Sequence, residues 1–198
     1  MNCCSGPHPW DLYKVRTNWF PSKLRCLIIG ENPGYSVNSS YFYQPQNSGY
    51  DPVTIRRNLL FGLYKVDLIG AQTLQEFQQA GFLFDHAIRC YLSAATIEKE
   101  RRLATRYKSP RAAAAIHLEP AIKTAPAVWV MGYIARNAVA SICSTFPRNQ
   151  APIAKSPYPC QIPGAPKFFV SRYLSHLGEK EVLDICKSFA VFFNRRMP

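Results

Sequence analysis

No stretch of the 198 residues approaches the ~18 consecutive apolar side chains that a membrane-crossing helix needs, so no membrane partner is expected. Residues 1–10 lack the charged-then-apolar pattern of a secretory leader. The seven cysteines are odd in number and irregularly spaced, which argues against a disulfide framework. Together these absences predict a reducing compartment: the cytoplasm, with nucleoid association in a bacterium. Internal repeats, low-complexity tails and coiled-coil heptads are also missing, so nothing demands a partner subunit and a monomer is expected. Acidic residues are scarce, with 12 Asp+Glu against 24 Lys+Arg and a formal charge of +12. The basic residues are spread along the whole chain. That pattern favours a polyanionic partner, nucleic acid ahead of acidic lipid, over the plainer alternative of a merely soluble basic protein.

What is present suffices for one core. With 47% hydrophobic and 13% aromatic residues, the chain is expected to form a single domain over residues 1–198. Four short apolar runs read as buried strands: Arg25–Ile29, Gly81–Phe84, Ala127–Met131 and Lys167–Val170. Between them, helical spacing or helix-start signals predict helices over Val53–Val66, Leu74–Ala80, Pro110–Lys123, Gly132–Ser144 and Glu179–Asn194. This alternation predicts an α/β fold, a three-layer α/β/α sandwich on a mostly parallel four-stranded sheet. Two segments stay irregular, Tyr35–Pro52 and the proline-rich Phe146–Pro166, and loops of that length in a compact domain are usually functional or disordered.

Ligands of open α/β sheets sit beyond the carboxyl ends of the strands. There the first strand, Leu27-Ile28-Ile29, breaks into Gly30-Glu31-Asn32-Pro33-Gly34. The glycines allow a sharp bend and close approach, while Glu31 and Asn32 offer a potential base and a polar orienting amide. An ordinary strand-to-loop turn with two solvated polar residues is the competing reading. The loop that follows carries Tyr35, Tyr41, Phe42, Tyr43 and Tyr50. These rings either form a stacking platform for a planar ligand such as a nucleobase or pin the loop onto the core, and at least one exposed stacker is expected.

In these residues the chain resembles the uracil-DNA glycosylase superfamily. Gly30-Glu31-Asn32-Pro33-Gly34 is similar to its first motif, with Glu31 like the carboxylate of the iron-sulfur branch and Asn32 like the amide of the mismatch-specific and single-strand-selective branches. Gly81-Phe82-Leu83-Phe84-Asp85-His86-Ala87-Ile88-Arg89-Cys90 resembles the second-strand segment, with His86 in place of the usual base-reading Asn. Phe168-Phe169-Val170-Ser171-Arg172-Tyr173-Leu174-Ser175-His176-Leu177-Gly178 falls where the second catalytic motif follows the last strand. The resemblance spans Leu24 to the C-terminus, with motifs in family order. Departures accompany it, since the usual His or Asn of the second motif falls on Tyr173 and the Pro on Leu174.

The resemblance implies a metal-independent, cofactor-free enzyme that flips uracil out of DNA and hydrolyses its N-glycosidic bond. Glu31 would orient or activate water, and Asn32 would hold the water or a base edge. Arg172, Tyr173 or His176 would donate to the departing base. Tyr43, or Tyr41 or Phe42, would stack on the base beside Gly30, with His86 reading its edge. Ser175 and the amides opening the last helix would grip a phosphate, and Leu177 would wedge into the base stack. An iron-sulfur cluster is not expected: Cys3 and Cys4 are adjacent, the partner downstream of Cys90 is missing, and His117 does not complete a set. Cys26, Cys143 and Cys186 read as small core residues. Two further possibilities are a glycosylase for another lesion such as hypoxanthine, and a non-catalytic nucleic-acid-binding protein of the same fold.

Overall fold

The computed structural model describes residues 8–32, 41–44, 54–144, 146, 160–161 and 167–195. Its sheet is built from β1 (Cys26–Gly30), β2 (Phe82–His86), β3 (Ala127–Met131), β4 (Cys160–Gln161) and β5 (Phe168–Ser171), in the order β2-β1-β3-β5-β4. The four longer strands are parallel, with Gly30 opposite His86, Ile28 opposite Trp129 and Val130 opposite Val170. They are buried along their whole length, which is why they read as unbroken apolar runs. The two-residue β4 is antiparallel to β5 and lies inside the proline-rich segment, where the sequence carries no strand pattern.

The helices are α1 (Pro9–Leu12), α2 (Val15–Asn18), α3 (Thr54–Lys65), α4 (Leu74–Gln79), α5 (Ala94–Ala104), α6 (Pro110–Ala113), α7 (Glu119–Thr124), α8 (Gly132–Ile142) and α9 (Glu179–Asn194). The chain leaves β1 toward β2 on one side and then crosses back to β3 on the other. Right-handed crossovers in opposite directions place their helices on opposite faces of the sheet. Accordingly α3 packs with α9, while α5 and α6 pack with α8. The predicted three-layer α/β/α sandwich is the observed fold.

Two departures have physical causes. The expected helix over Pro110–Lys123 is broken: α6 stops at Ala113, a 3-10 turn spans Ile116–Leu118, and α7 restarts with Pro120 in its first turn. Proline lacks the N–H that a continuous helix would require there. Conversely, α5 has no apolar stripe of helical width, because only Ile97, Glu100 and Ala104 of it are buried. Its one strong signal is the N-cap, where Ser93 Oγ accepts from Thr96 N.

The core is aromatic. Phe189 of α9 stacks on Trp129 of β3 at 4.2 Å, and Phe42 stacks on Phe84 of β2 at 4.3 Å. Trp129 keeps its indole N–H satisfied by donating to Ser171 Oγ at 2.8 Å. Cys26 and Cys186 are buried, free thiols and Cys143 is half-buried, in keeping with packing roles. Cys90 is different: it is disulfide-bonded. Irregular spacing argues against a disulfide framework but does not exclude one pair brought together by the fold.

Candidate functional site

The sheet reverses its winding at β1, between β2 and β3, so the crevice for a ligand opens beyond the carboxyl ends of β1 and β3. From β1 that edge receives Gly30, Glu31 and Asn32; from β2, His86; from β3, Gly132; and from β5, Ser171 to Tyr173. The predicted motifs therefore meet at one end of the sheet. The β1–β2 ladder continues past both strands, as Ala87 N donates to Gly30 O and Ile88 N to Glu31 O.

Glu31 sits in the crevice at 2% exposure. Its Oε1 accepts from the backbone N–H groups of Tyr133 (3.1 Å) and Ile134 (3.4 Å), which open α8. Its Oε2 accepts from Arg101 Nε (3.2 Å) and Nη2 (2.8 Å), contributed by α5. Gly132, at φ +86°, lets the first turn of α8 close over the carboxylate, because a Cβ there would stand 2.6 Å from Oε1. A helix N-terminus at a switch point is the usual seat of a ligand's anionic group. Here the chain's own carboxylate occupies it. The roughly four lone-pair positions of a carboxylate are matched by four donors. Glu31 in this arrangement ties β1 to α5 and α8, a different occupation from the water-activating one expected of it. Sequence reading missed Arg101 and Gly132. The signal for Gly132 was a glycine at a strand-to-helix junction, whereas nothing sets Arg101 apart among its basic neighbours.

Asn32 follows at 9% exposure, the next polar side chain from the same turn. Gly30 must be glycine for packing, since a Cβ would stand 2.6 Å from Phe84 Cζ and 3.3 Å from Tyr173 Cε2. The latter contact brings the first and second motifs together. Pro33, Gly34, Tyr35 and Tyr50 lie outside the described residues.

His86 is 2% exposed, with Tyr41 at 5.4 Å and the edge-on ring of Phe84 at 5.0 Å. Burial, then the charges of Arg89 and His117, push its pKa down to about 3, so the ring is neutral at physiological pH. Its Nδ1 is buried without a hydrogen-bond partner. His117 Nε2 lies 2.9 Å from the His86 carbonyl. A carbonyl only accepts, so this nitrogen of His117 carries the proton. Beside them, Asp85 accepts two bonds from Arg89, and the guanidinium of Arg89 lies 3.9 Å over Trp10.

The three described rings of the aromatic loop pin it down instead of offering a stacking face. Tyr41 stacks on Tyr13, Phe42 on Phe84, and Tyr43 Oη accepts from Phe84 N at 2.8 Å. All three are buried, which corrects the expectation of an exposed stacker as far as Tyr41, Phe42 and Tyr43 are concerned. The Tyr43 hydroxyl satisfied by backbone and the rings packed on rings make burial the lower-energy placement.

In the second motif, Arg172 is exposed and turned away to Glu181, 2.8 Å from its carboxylate. Tyr173 is half-buried against Gly30, and Ser175 is 9% exposed with its Oγ unpartnered. The side chain of His176 lies outside the described residues. Leu177 is half-buried, and its carbonyl, like that of Leu174, accepts from Asn58 Nδ2 of α3 (3.3 and 2.7 Å). The amide of Gly178, ahead of α9, donates to Glu181 at 3.3 Å, so it is already engaged. Among the described residues no group of His, Cys, Asp and Glu could hold a metal ion. No helix among them is long and apolar enough to cross a membrane.

Comparison with protein-family models, with curated proteins and with solved structures finds no match to this chain.

Proposed function

We propose that the protein is a DNA glycosylase of the uracil-DNA glycosylase superfamily that extrudes uracil and hydrolyses its N-glycosidic bond, leaving an abasic site. The observation that carries this reading is the pair of orphaned polar atoms, His86 Nδ1 and Ser175 Oγ, buried at the same end of the sheet as Gly30, Asn32 and Tyr173. A buried polar atom without a partner costs about 1–3 kcal/mol, and a ligand that supplies the partner recovers it. The Nδ1 of the neutral imidazole offers one donor or one acceptor, according to tautomer, to the polar edge of a pyrimidine. Tyr173, whose ring edge lies against the first motif, is assigned as the donor to the oxygen of the departing base, while Arg172 is paired with Glu181. Asn32 is the side chain that meets the water or the base edge, with Glu31 holding the turn from behind. The +12 charge supports a nucleic-acid substrate.

A second reading rests on Glu31. With all its lone pairs engaged, it has no position left for a water, which favours a nucleic-acid-binding protein that retains the fold without the chemistry. One experiment separates the two. Labelled single-stranded and duplex oligonucleotides carrying uracil or hypoxanthine are incubated with the protein in EDTA and then treated with alkali. Cleavage at uracil is expected, with Tyr173→Phe lowering the rate by about 100-fold. Binding without cleavage of any substrate would overturn the enzyme reading, and cleavage at hypoxanthine alone would overturn uracil as the base.

A further inference from the structure

The basic residues of the described structure include one dense segment that the site itself does not absorb. Between Glu98 and Arg111 stand Lys99, Arg101, Arg102, Arg106, Lys108 and Arg111, six cations against two acids. Of the acids, Glu100 is buried and held by Ser109 and Arg111, so it contributes little to the surface field. Lys99, Arg102, Arg106 and Lys108 are exposed. The helix dipole accounts for cations in the last turn of α5, where Arg101 and Arg102 lie. It does not account for Lys99 in mid-helix or for Arg106 and Lys108 beyond the helix end.

The segment is held in a fixed shape. Tyr107, between Arg106 and Lys108, adopts φ +57°, a left-handed conformation that non-glycine residues rarely take. Its ring packs under the guanidinium of Arg136 at 4.6 Å, and Arg136 also donates to the carbonyl of Thr105 at 3.3 Å. Arg106 and Lys108 are thus displayed from a turn stapled to α8, before any ligand is present. The segment also adjoins the candidate site, because Arg101 reaches from it to Glu31.

We infer that α5 and the turn after it form the surface on which the phosphate backbone flanking the extruded nucleotide lies, with Lys99, Arg102, Arg106 and Lys108 as its phosphate contacts. The inference rests on the nucleic-acid part of the proposed function and not on its chemistry. Exposed cations on a segment that adjoins the crevice complement an anion that repeats along a strand, and binding releases the counterions condensed on it. Arg101 is outside the set, being committed to Glu31.

The test compares two variants of equal net charge. One carries Lys99→Gln, Arg102→Gln, Arg106→Gln and Lys108→Gln; the other carries Lys14→Gln, Lys23→Gln, Lys65→Gln and Lys187→Gln, four exposed lysines elsewhere. Affinity for a labelled, uracil-free single-stranded oligonucleotide is measured by fluorescence anisotropy across a salt series. Four lost phosphate contacts should reduce the slope of log K against log salt by about 3 and weaken binding at 0.1 M salt by about a hundredfold. The control variant should stay within a few fold of the parent, and thermal melts should show both variants folded. Equal losses in the two would mean that net charge alone binds, and would overturn the surface. So would an unchanged slope in the first variant while the parent excises uracil, which leaves the enzyme reading intact. A parent that binds with a steep slope yet excises nothing removes the enzyme reading and leaves the surface to be decided by the two variants. Loss of binding to vesicles containing about one-third phosphatidylserine, with oligonucleotide binding kept, would assign the patch to lipid instead.

Discussion

Glu31→Gln is the substitution from which the structure predicts most. The carboxylate is bound by two backbone N–H groups of α8 and by two nitrogens of Arg101. A glutamine amide has one acceptor oxygen and one NH2 group, so it can satisfy either the helix or the guanidinium and must point a donor at the other. Removing one member of a fully buried ion pair costs about 3–5 kcal/mol. Arg101, however, has 36% of its side chain exposed and also contacts Glu98 at 3.3 Å, so it can turn to Glu98 and water. The expected loss is therefore about 2–3 kcal/mol, in the range of a hydrogen bond to a charged group plus one unsatisfied donor. For a chain of this size that is a fall in Tm of about 5–10 °C, measured by circular dichroism and checked by urea titration. Arg101→Gln should also destabilise, and the double variant should be less affected than the sum of the two by at least about 1 kcal/mol. If excision is detected, the pH–rate profile should keep its shape in Glu31→Gln while its amplitude falls by about 100-fold, because a positioning group alters geometry and not the titration. A stability change below about 0.5 kcal/mol would refute the clamp. Disappearance of an acidic limb from the profile would restore Glu31 as the base.

Three further outcomes can be measured. His86 has a folded pKa of about 3 against an ordinary value of 6.5, so the folded state binds fewer protons than the unfolded one between those limits. Its contribution to stability is then complete above pH 6.5 and is lost as the pH falls toward 3, with a slope of up to about 1.4 kcal/mol per pH unit. Urea titrations from pH 7 to 4 should show a smaller slope for His86→Gln than for the parent, and identical slopes would refute the buried neutral ring. Gly62→Ala in α3 should cost about 1–3 kcal/mol despite alanine's better helix propensity, since the new Cβ would collide with Cys186 Sγ on α9; adding Cys186→Ala should recover most of the loss in Tm. Asn58→Ala should cost about 1–3 kcal/mol and speed amide hydrogen exchange around Leu174–Gly178, because one side chain holds both the Leu174 and Leu177 carbonyls; unchanged exchange there would show that the turn is held by other contacts.

Much of the fold was legible from local pattern. Strands buried on both faces leave continuous apolar runs, and Ala127–Met131 has the predicted bounds while the other three long strands are displaced by a residue or two. The last helix, Glu179–Asn194, also agrees, because an apolar face repeats along it at helical spacing. What failed to show was α5, whose buried face is too narrow to give a period, and β4, which exists only because β5 offers it an edge. The site divided in the same way. The sequence located the turn at the end of β1 and the segments that join it, since strand ends and glycine turns are local features.

Only the tertiary structure decided what surrounds those residues there. For Glu31 a potential base and a solvated turn residue both stayed open, because nothing local reveals that α8 and Arg101, from distant parts of the chain, converge on it. Whether the rings of Tyr41, Phe42 and Tyr43 form a platform or pin the loop stayed open, because a polar loop gives no hint that Tyr13 and Phe84 stand ready to cover them. The orphaned nitrogen of His86 and the displayed turn around Tyr107 likewise depend on neighbours remote in sequence. Residue type and spacing fix which elements can form and where chemistry can sit, because those are set by short-range sterics and periodicity. Whether a polar group is free, paired or buried depends on packing between elements, and that is settled when the sheet brings its strand ends together.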